Sequence, residues 1–439
     1  MEFKPRKTRK HLILPGLLKR TKCNFDKIKD PINPRTSLSL SECLMSGLAV
    51  FSLKYPSLLE FEQSIHSEKI VRHNLRTLYG VRQAPCDTYM RERLDEIEPG
   101  QLQKNINRII AQLQRGKVLE QYRFIDEYCL VSVDGTGYFN SEEIHCESCC
   151  EKHHRDGRVS YYHQMLGAVM VHPYYSTVFP LAIEPVLKQN GKLKNDCEYN
   201  AAKRLLKNLR TSHPHLKMII VLDGLYADGP MIKLLKELKF SFIITAKKND
   251  LKYLFEFYKA SEKGEVRTLN EKNETRLFYT NKLPLNDKNN KVEVNILECY
   301  EKTKKGDKHF CWITDLELNA KNVAIIAKGG RARWRIENET FNTLKNQGYQ
   351  FEHNFGHGYK HLSTVFAYLM FTAFLIDQIQ QFSCQYFKVA LAWRGSRTAL
   401  WEKIRGVFFH YYIEVWEHLY TSISQSFNGA RLEDLLDSS

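Results

Sequence analysis

The 439-residue sequence has no segment of the form G-x4-G-K-[ST], the glycine-rich turn that cradles nucleotide phosphates, so an ATP-driven step is not indicated. It has no internal repeat and no low-complexity tract, which sets aside solenoids and flexible linkers. Nothing resembles a signal peptide: the first apolar run, Leu12 to Leu18, is short and broken by Pro15. The longest apolar run, Leu362 to Ile376, meets Asp377 after fifteen residues where about 20 are needed to cross a bilayer. A buried core helix and no membrane partner are therefore expected. The eleven cysteines are an odd number scattered from Cys23 to Cys384, which argues against a secreted disulfide framework and for free thiols in a reducing, cytoplasmic setting.

Acidic residues are the scarcer sign. Lys and Arg number 65 against 50 Asp and Glu, a net charge of +15, and Met1 to Asp30 alone hold ten basic residues against three acidic ones. That surplus favours a polyanionic partner without choosing among them. At 43% hydrophobic and 12% aromatic, the composition is ample for a packed core and excludes global disorder.

Residues 1–125 follow a helical rhythm punctuated by Pro56, Pro85 and Pro99, and predict a helical amino-terminal region. Within it, NLRTLYGVRQAPCDTYMRERLDEI has the outline of two helices joined at Gly80 to Pro85, the second capped by Asp87 and carrying Arg91 and Arg93. A helix-turn-helix DNA reader and an ordinary αα-hairpin both fit this outline. From Tyr128 the texture changes: three strand-like segments precede helix, strand MIIVLDG, helix and strand SFIITAKK, up to residue 248. This order predicts a mixed α/β sheet with flanking helices. Residues 249–319 turn to β again in ETRLFYTNKL, KVEVNILECY and KHFCWITDL, a β-rich insertion, and helical periodicity returns over 320–439.

Two aspartates share one local setting, Asp134 closing LVSVDG and Asp223 closing MIIVLDG. Strand ends are where α/β sheets collect ligands, so neighbouring strands would bring these carboxylates together. A third candidate, Glu337, lies in the helical RARWRIENETFNTLK, with Arg333 one turn earlier and Ile336, Phe341 and Leu344 as an apolar stripe. Three carboxylates make a hard oxygen cage for Mg²⁺ or Mn²⁺. Two such ions about 3.5–4 Å apart suit in-line phosphodiester displacement.

The order Asp134, Asp223, Glu337, with RWRIE at Arg333 to Glu337 and a β insertion before the glutamate, resembles the DDE transposases of the insertion-sequence-4-like group. The resemblance covers roughly Tyr128 to Gln380 and implies a ribonuclease H-like core in which Asp134, Asp223 and Glu337 hold the catalytic Mg²⁺ ions. It implies metal-dependent cleavage of transposon ends and strand transfer by a cut-and-paste route. Its partners would be double-stranded DNA, as terminal inverted repeats and target, and a second copy of the chain in a homodimer on DNA, acting in a bacterial cytoplasm. The family signature Y-x2-R-x3-E-x6-K implies DNA contacts by Arg333 and a downstream lysine. Here the tyrosine position is Gly330 and the lysine position is Leu344, with Lys345 one residue late. Aromatic residues of the insertion hold an unstacked base in relatives, which makes Trp312 and Trp334 candidates, although core packing is the expectation for Trp334. The run GYQFEHNFGHGYKH either lines a DNA path or merely ends the helix.

A further cluster, His145 to His154 (HCESCCEKHH), has the C-x2-C spacing of a tetrahedral zinc site. Cys146, Cys149, Cys150 and His153 would be its ligands, against the alternative of reduced thiols and imidazoles in a loop. Two rival functions remain beside transposition: a metal-dependent nuclease without strand transfer, and a decayed, transposase-derived DNA-binding protein.

Overall fold

The computed structural model describes residues 12–32, 38–188, 196–270, 273–289, 291–303 and 306–424, so the first eleven residues of the basic amino-terminal stretch lie outside it. The chain divides into two compact units, one of Met1–Asn105, Leu344–Phe351 and Lys360–Ser439, the other of Ile106–Thr343 and Glu352–Tyr359.

The second unit is built on one eleven-stranded sheet. In chain order its strands are β1 (Arg123–Ile125), β2 (Tyr128–Ser141), β3 (Cys150–His153), β4 (Val159–His172), β5 (Tyr175–Val186), β6 (Met218–Leu222), β7 (Ser241–Thr245), β8 (Gly264–Asn270), β9 (Asn273–Pro284), β10 (Glu293–Thr303) and β11 (Gly306–Thr314). β5, β4 and β2 run antiparallel, and β6 and β7 join β2 in parallel, which is the mixed order of a ribonuclease H-like core. β6 is buried throughout and β7 over its central three residues, as continuous apolar runs covered on both faces should be. The crossover between them is the helix Gly229–Glu237, started by Asp228, whose side chain accepts the Met231 N–H at 2.8 Å.

Two expectations change here. β2 does not end at Asp134 but runs on to Ser141, because β4 supplies backbone partners as far as Ser141↔Tyr161. Nor does 249–319 consist of the three expected strands alone. It opens with the helix Lys252–Ala260, adds the polar strand β8, and continues the same sheet by pairing β11 with β7 at Trp312↔Thr245 through Thr314↔Ile243. The edge of β7 would otherwise present unpaired N–H and C=O groups.

The first unit is helical among its described residues. Its long helix Leu362–Ser383 has 22 residues and does not stop at Asp377. It is the one helix among the described residues long and apolar enough to cross a membrane, and 89% of its apolar window is buried inside the protein. Asp95 caps its start by accepting the Leu362 and His361 N–H groups, each at 2.8 Å. Asp377 accepts from the buried Lys54 ammonium at 2.8 Å and from the Tyr349 hydroxyl, so the one acid inside the helix is paired. Gly47 on Leu40–Ser52 lets the two helices close up, since a Cβ there would stand 2.9 Å from Leu369 Cδ1.

The helix-turn-helix outline is there as two helices, Lys69–Asn74 and Asp87–Asp95. Arg93 is buried and ion-paired to Asp30, and Arg91 is held by Asp87 four residues earlier, Nε to Oδ1 2.6 Å. Cys86, not Asp87, occupies the cap position.

Candidate active site

β2 and β6 pair in parallel from Cys129↔Met218 to Ser132↔Val221. Asp134 and Asp223 each lie two residues past the last pair, at equivalent positions on adjacent strands. Asp134 Oδ1 accepts the Gly135 N–H at 2.9 Å, and Asp223 Oδ1 accepts the Leu225 N–H at 2.6 Å, which starts a short 3-10 turn. Gly135 and Gly224 are needed for close approach: a Cβ on the first would meet Gln164 and Glu198 at 3.0 Å, and on the second Lys247 Cε at 3.1 Å.

Glu337 is carried by a helical segment that changes pitch three times. Val323–Arg331 is an α-helix, Ala332–Trp334 tightens to a 3-10 turn, and Ile336–Phe341 widens to a π turn before Asn342–Asn346 resumes α geometry. Tertiary contacts fix this winding. The buried Ser132 hydroxyl of β2 donates to the Arg333 carbonyl at 3.2 Å. Phe341 lies over Gly167, 3.6 Å from where a Cβ would be, and Gly167 is the β4 residue directly opposite Asp134. Ile336 and Phe341 are buried as the apolar stripe requires. π turns concentrate at functional sites and hold one residue more than an α turn. Lys345 lies in Asn342–Asn346, the α turn that follows the π turn. Leu344 is fully buried, and both residues belong to the first unit.

Arg333 joins the first and third acids, with Nη1 2.7 Å from Asp134 Oδ2 and Nη2 2.9 Å from Glu337 Oε1. Burial, with the neighbouring Glu337 adding to it against the pull of Arg333, pushes the Asp134 carboxyl up to about 6. Burial opposes the charge of Arg333, yet Asp134 and Glu337 outweigh it and hold the guanidinium above its ordinary range. The oxygens are hard donors, and the Arg333 guanidinium stands between Asp134 and Glu337. Hard oxygens of this kind suit Mg²⁺ or Mn²⁺, but among the described residues the three carboxylates do not stand within one ion's reach of one another.

The other two arginines of the cluster are also engaged by acids, Arg331 by Glu301 and Arg335 by Glu339 at 3.7 Å, so the three do not form a free cationic patch. A residue missed in the sequence is Glu198, which accepts from Tyr226 O–H at 2.9 Å and Gln164 Nε2 at 3.0 Å beside Gly135. Burial and Glu198 hold the Tyr226 phenol far above its usual range, with Asp134 and Asp223 adding to the effect. An acid in the first turn of a helix is too ordinary to mark it in advance.

Trp334 departs from the core packing expected of it, and Trp312 is the buried one of the two. Trp334 is 43% exposed with the Arg335 guanidinium 5.3 Å from its ring, not in the core. Trp312 is 3% exposed, stacked on Phe310 with centroids 5.7 Å apart, and has little face to offer a base. The reason is Gly330: a Cβ there would stand 2.5 Å from the Trp312 indole, so the ring fills the space that a tyrosine at this position would need. Both tryptophans line a cavity of about 820 Å³ that also takes in Lys247, Lys248, Tyr258 and Arg333.

The cysteine-histidine loop is corrected in its membership. Cys146 and Cys149 do converge, but with His163 of β4 and His357, not with Cys150 and His153. Cys150 begins β3 and turns its thiol to the Val186 carbonyl, while His153 is 72% exposed at the other end of that strand, 3.6 Å from Glu151. Cys146 is held well below its ordinary range by the Cys149 thiol and by the imidazoles, and Cys149 correspondingly above, so the pair gives up one proton readily and holds the other. His357 lies in the run GYQFEHNFGHGYKH and faces these thiols.

No curated protein matches the chain. Among solved structures, the piggyBac transposase in a synaptic complex with hairpin DNA aligns over 97% of this chain and 86% of its own, with 11% identity and a TM-score of 0.40. The NurA nuclease from Sulfolobus solfataricus aligns over 50% and 82%, with 13% identity and a TM-score of 0.23. At these scores neither likeness bears on fold or chemistry. The sequence of residues 185–375, a span that begins after Asp134 and takes in both Asp223 and Glu337, matches the family described as the transposase DDE domain.

Proposed function

We propose that the chain is a DNA transposase of the insertion-sequence-4-like group that cleaves transposon ends and joins them to target DNA. The observation that carries this reading is that Asp134 and Asp223 occupy equivalent positions just past the parallel pairing of adjacent strands, with Glu337 tied to Asp134 through Arg333. The match of residues 185–375 to the transposase DDE domain supports it.

Asp134, Asp223 and Glu337 would hold two Mg²⁺ or Mn²⁺ ions. When bound, these ions supply Lewis-acid stabilisation of charge at the phosphorus centre and its attacking and leaving oxygens. The chain's own groups do the remaining work. Arg333 orients Asp134 and Glu337 and, released from them, is a bidentate phosphate donor. The π turn sets the direction of Glu337, and the Phe341–Gly167 contact fixes its distance from β2. The cavity beside Arg333, with Lys247, Lys248, Tyr258 and Trp334, combines cations and rings as single-stranded DNA binding requires. Lys345 is proposed as a phosphate contact and Trp334, rather than Trp312, as the exposed ring against which a base can stack. Bringing two DNA ends together calls for a homodimer on DNA, in the reducing cytosol of a bacterium.

The test is an assay with DNA carrying the inverted repeats that flank the gene. The reading expects Mg²⁺-dependent cut ends and joined product. Cut ends without joining would make the protein a nuclease, and binding without cutting would make it a decayed transposase. Binding should also weaken steeply as salt rises, because basic residues release counterions from phosphate.

A further inference from the structure

The four donor atoms of Cys146, Cys149, His163 and His357 all lie within 4.8 Å of one another. The separations are 3.8 Å between the two Sγ atoms, 3.5 and 3.4 Å from Cys146 and Cys149 Sγ to His163 Nε2, and 3.2 Å from Cys149 Sγ to His357 Nε2. A tetrahedral zinc ion, with Zn–S ≈ 2.3 Å and Zn–N ≈ 2.0–2.1 Å, holds its ligands roughly 3.8 Å apart for two sulfurs and about 3.6 Å for sulfur and nitrogen. Four of the six separations are therefore near those of a zinc ion's ligands, and the other two lie within 4.8 Å.

We propose that Cys146, Cys149, His163 and His357 form a structural zinc site that fastens the segment Glu352–Tyr359 to β4 and to the loop after β2. Four further observations support it. Both imidazoles turn the same atom, Nε2, toward the sulfurs. The C-x2-C turn is closed by the Cys149 N–H donating to the Cys146 carbonyl at 3.1 Å, and the Cys146 N–H donates to Cys149 Sγ at 3.4 Å, a contact that favours a thiolate. Cys149, His163 and His357 are 1%, 1% and 6% exposed, so no open position faces solvent for a substrate. Rings close the surroundings, with Phe139 4.2 Å from His357 and Tyr138 stacked on His163 at 5.6 Å.

The arrangement has a reason in the fold. His163 is the β4 partner of Phe139 on β2, the strand that carries Asp134, and His357 follows the Glu337 helix in the chain. Cys149 and His357 are 208 residues apart, and a clip across so long a span removes much chain entropy. His357 is set between Gly356 and Gly358, whose φ values of 128° and 68° allow the sharp path that brings its ring inward.

The experiment measures metal in the purified full-length chain, prepared without chelator, and the visible spectrum after exchange into Co²⁺. About one zinc per chain and an intense tetrahedral Co²⁺ spectrum with thiolate charge transfer are expected. His357→Ala and Cys149→Ser should each lower zinc content at least about tenfold, while Cys150→Ser and His153→Ala should keep it, since those groups point elsewhere. A wild-type chain without zinc, a weak octahedral cobalt spectrum, or full zinc retention in His357→Ala would overturn the proposal. If a ligand variant fails to fold, the wild-type metal content and cobalt spectrum decide alone. The readout is independent of DNA cleavage, so the site stands or falls apart from the phosphodiester chemistry.

Discussion

Gly330 occupies the position where the transposase signature has a tyrosine, and Gly330→Ala is the smallest step toward a side chain there. Glycine to alanine inside a helix ordinarily gains about 1 kcal/mol. Here the new methyl carbon would lie 2.5 Å from Trp312 Cε2 and Nε1 and 2.9 Å from Cδ1. The indole cannot easily yield, being 3% exposed and stacked within 6° of parallel on Phe310. Overpacking of this kind costs about 1–3 kcal/mol, enough to outweigh the helix gain at the centre of that range. The expected result is a lower melting temperature, by ~2–4 °C per kcal/mol for a unit of this size. Trp312→Leu should remove the clash, so that adding Gly330→Ala in that background is neutral or stabilising, a coupling of about 1 kcal/mol or more. A rise in melting temperature for Gly330→Ala in the wild-type background would refute the packing argument.

Other outcomes follow from the same geometry. In metal-free protein the folded-state pKa of Asp134, about 6, exceeds its ordinary value of 3.8, so the folded chain binds this proton more tightly than the unfolded one. That contribution is complete below the ordinary value and is lost as pH rises through about 6, at most ~1.4 kcal/mol per pH unit. Thermal melts of wild type against Asp134→Asn should diverge across that window, and a constant difference would contradict the assignment. Trp312→Ala should cost about 3–5 kcal/mol, whereas Trp334→Ala should leave the melting temperature nearly unchanged and weaken binding of single-stranded DNA by ~1–3 kcal/mol. Equal destabilisation by the two would show that Trp334 is not the exposed member of the pair.

The two aspartates were legible in the sequence because each follows a short apolar β run, and their adjacency follows once β2 and β6 pair in parallel. The extent of β2 was not legible: TGYFNS beyond Asp134 has no strong alternation, and β4 alone keeps it extended. β8, GEVRTLN, escaped because an exposed polar edge strand lacks a buried face to mark it. The changes of helical pitch around Glu337 arise from the Ser132 and Phe341 contacts, which no local propensity encodes. Cys146 and Cys149 announced themselves by spacing. Their partners did not, since His163 looks like any strand residue and His357 is brought in from 208 residues beyond Cys149.

The central claim is that Asp134, Asp223 and Glu337 act as one metal-binding set. Cleavage of inverted-repeat DNA with Mg²⁺ by Asp134→Asn, Asp223→Asn and Glu337→Gln, each shown to be folded, tests it most directly. Each substitution should reduce cleavage by at least about a hundredfold while DNA binding persists. Wild-type cleavage by any one of the three would contradict the account.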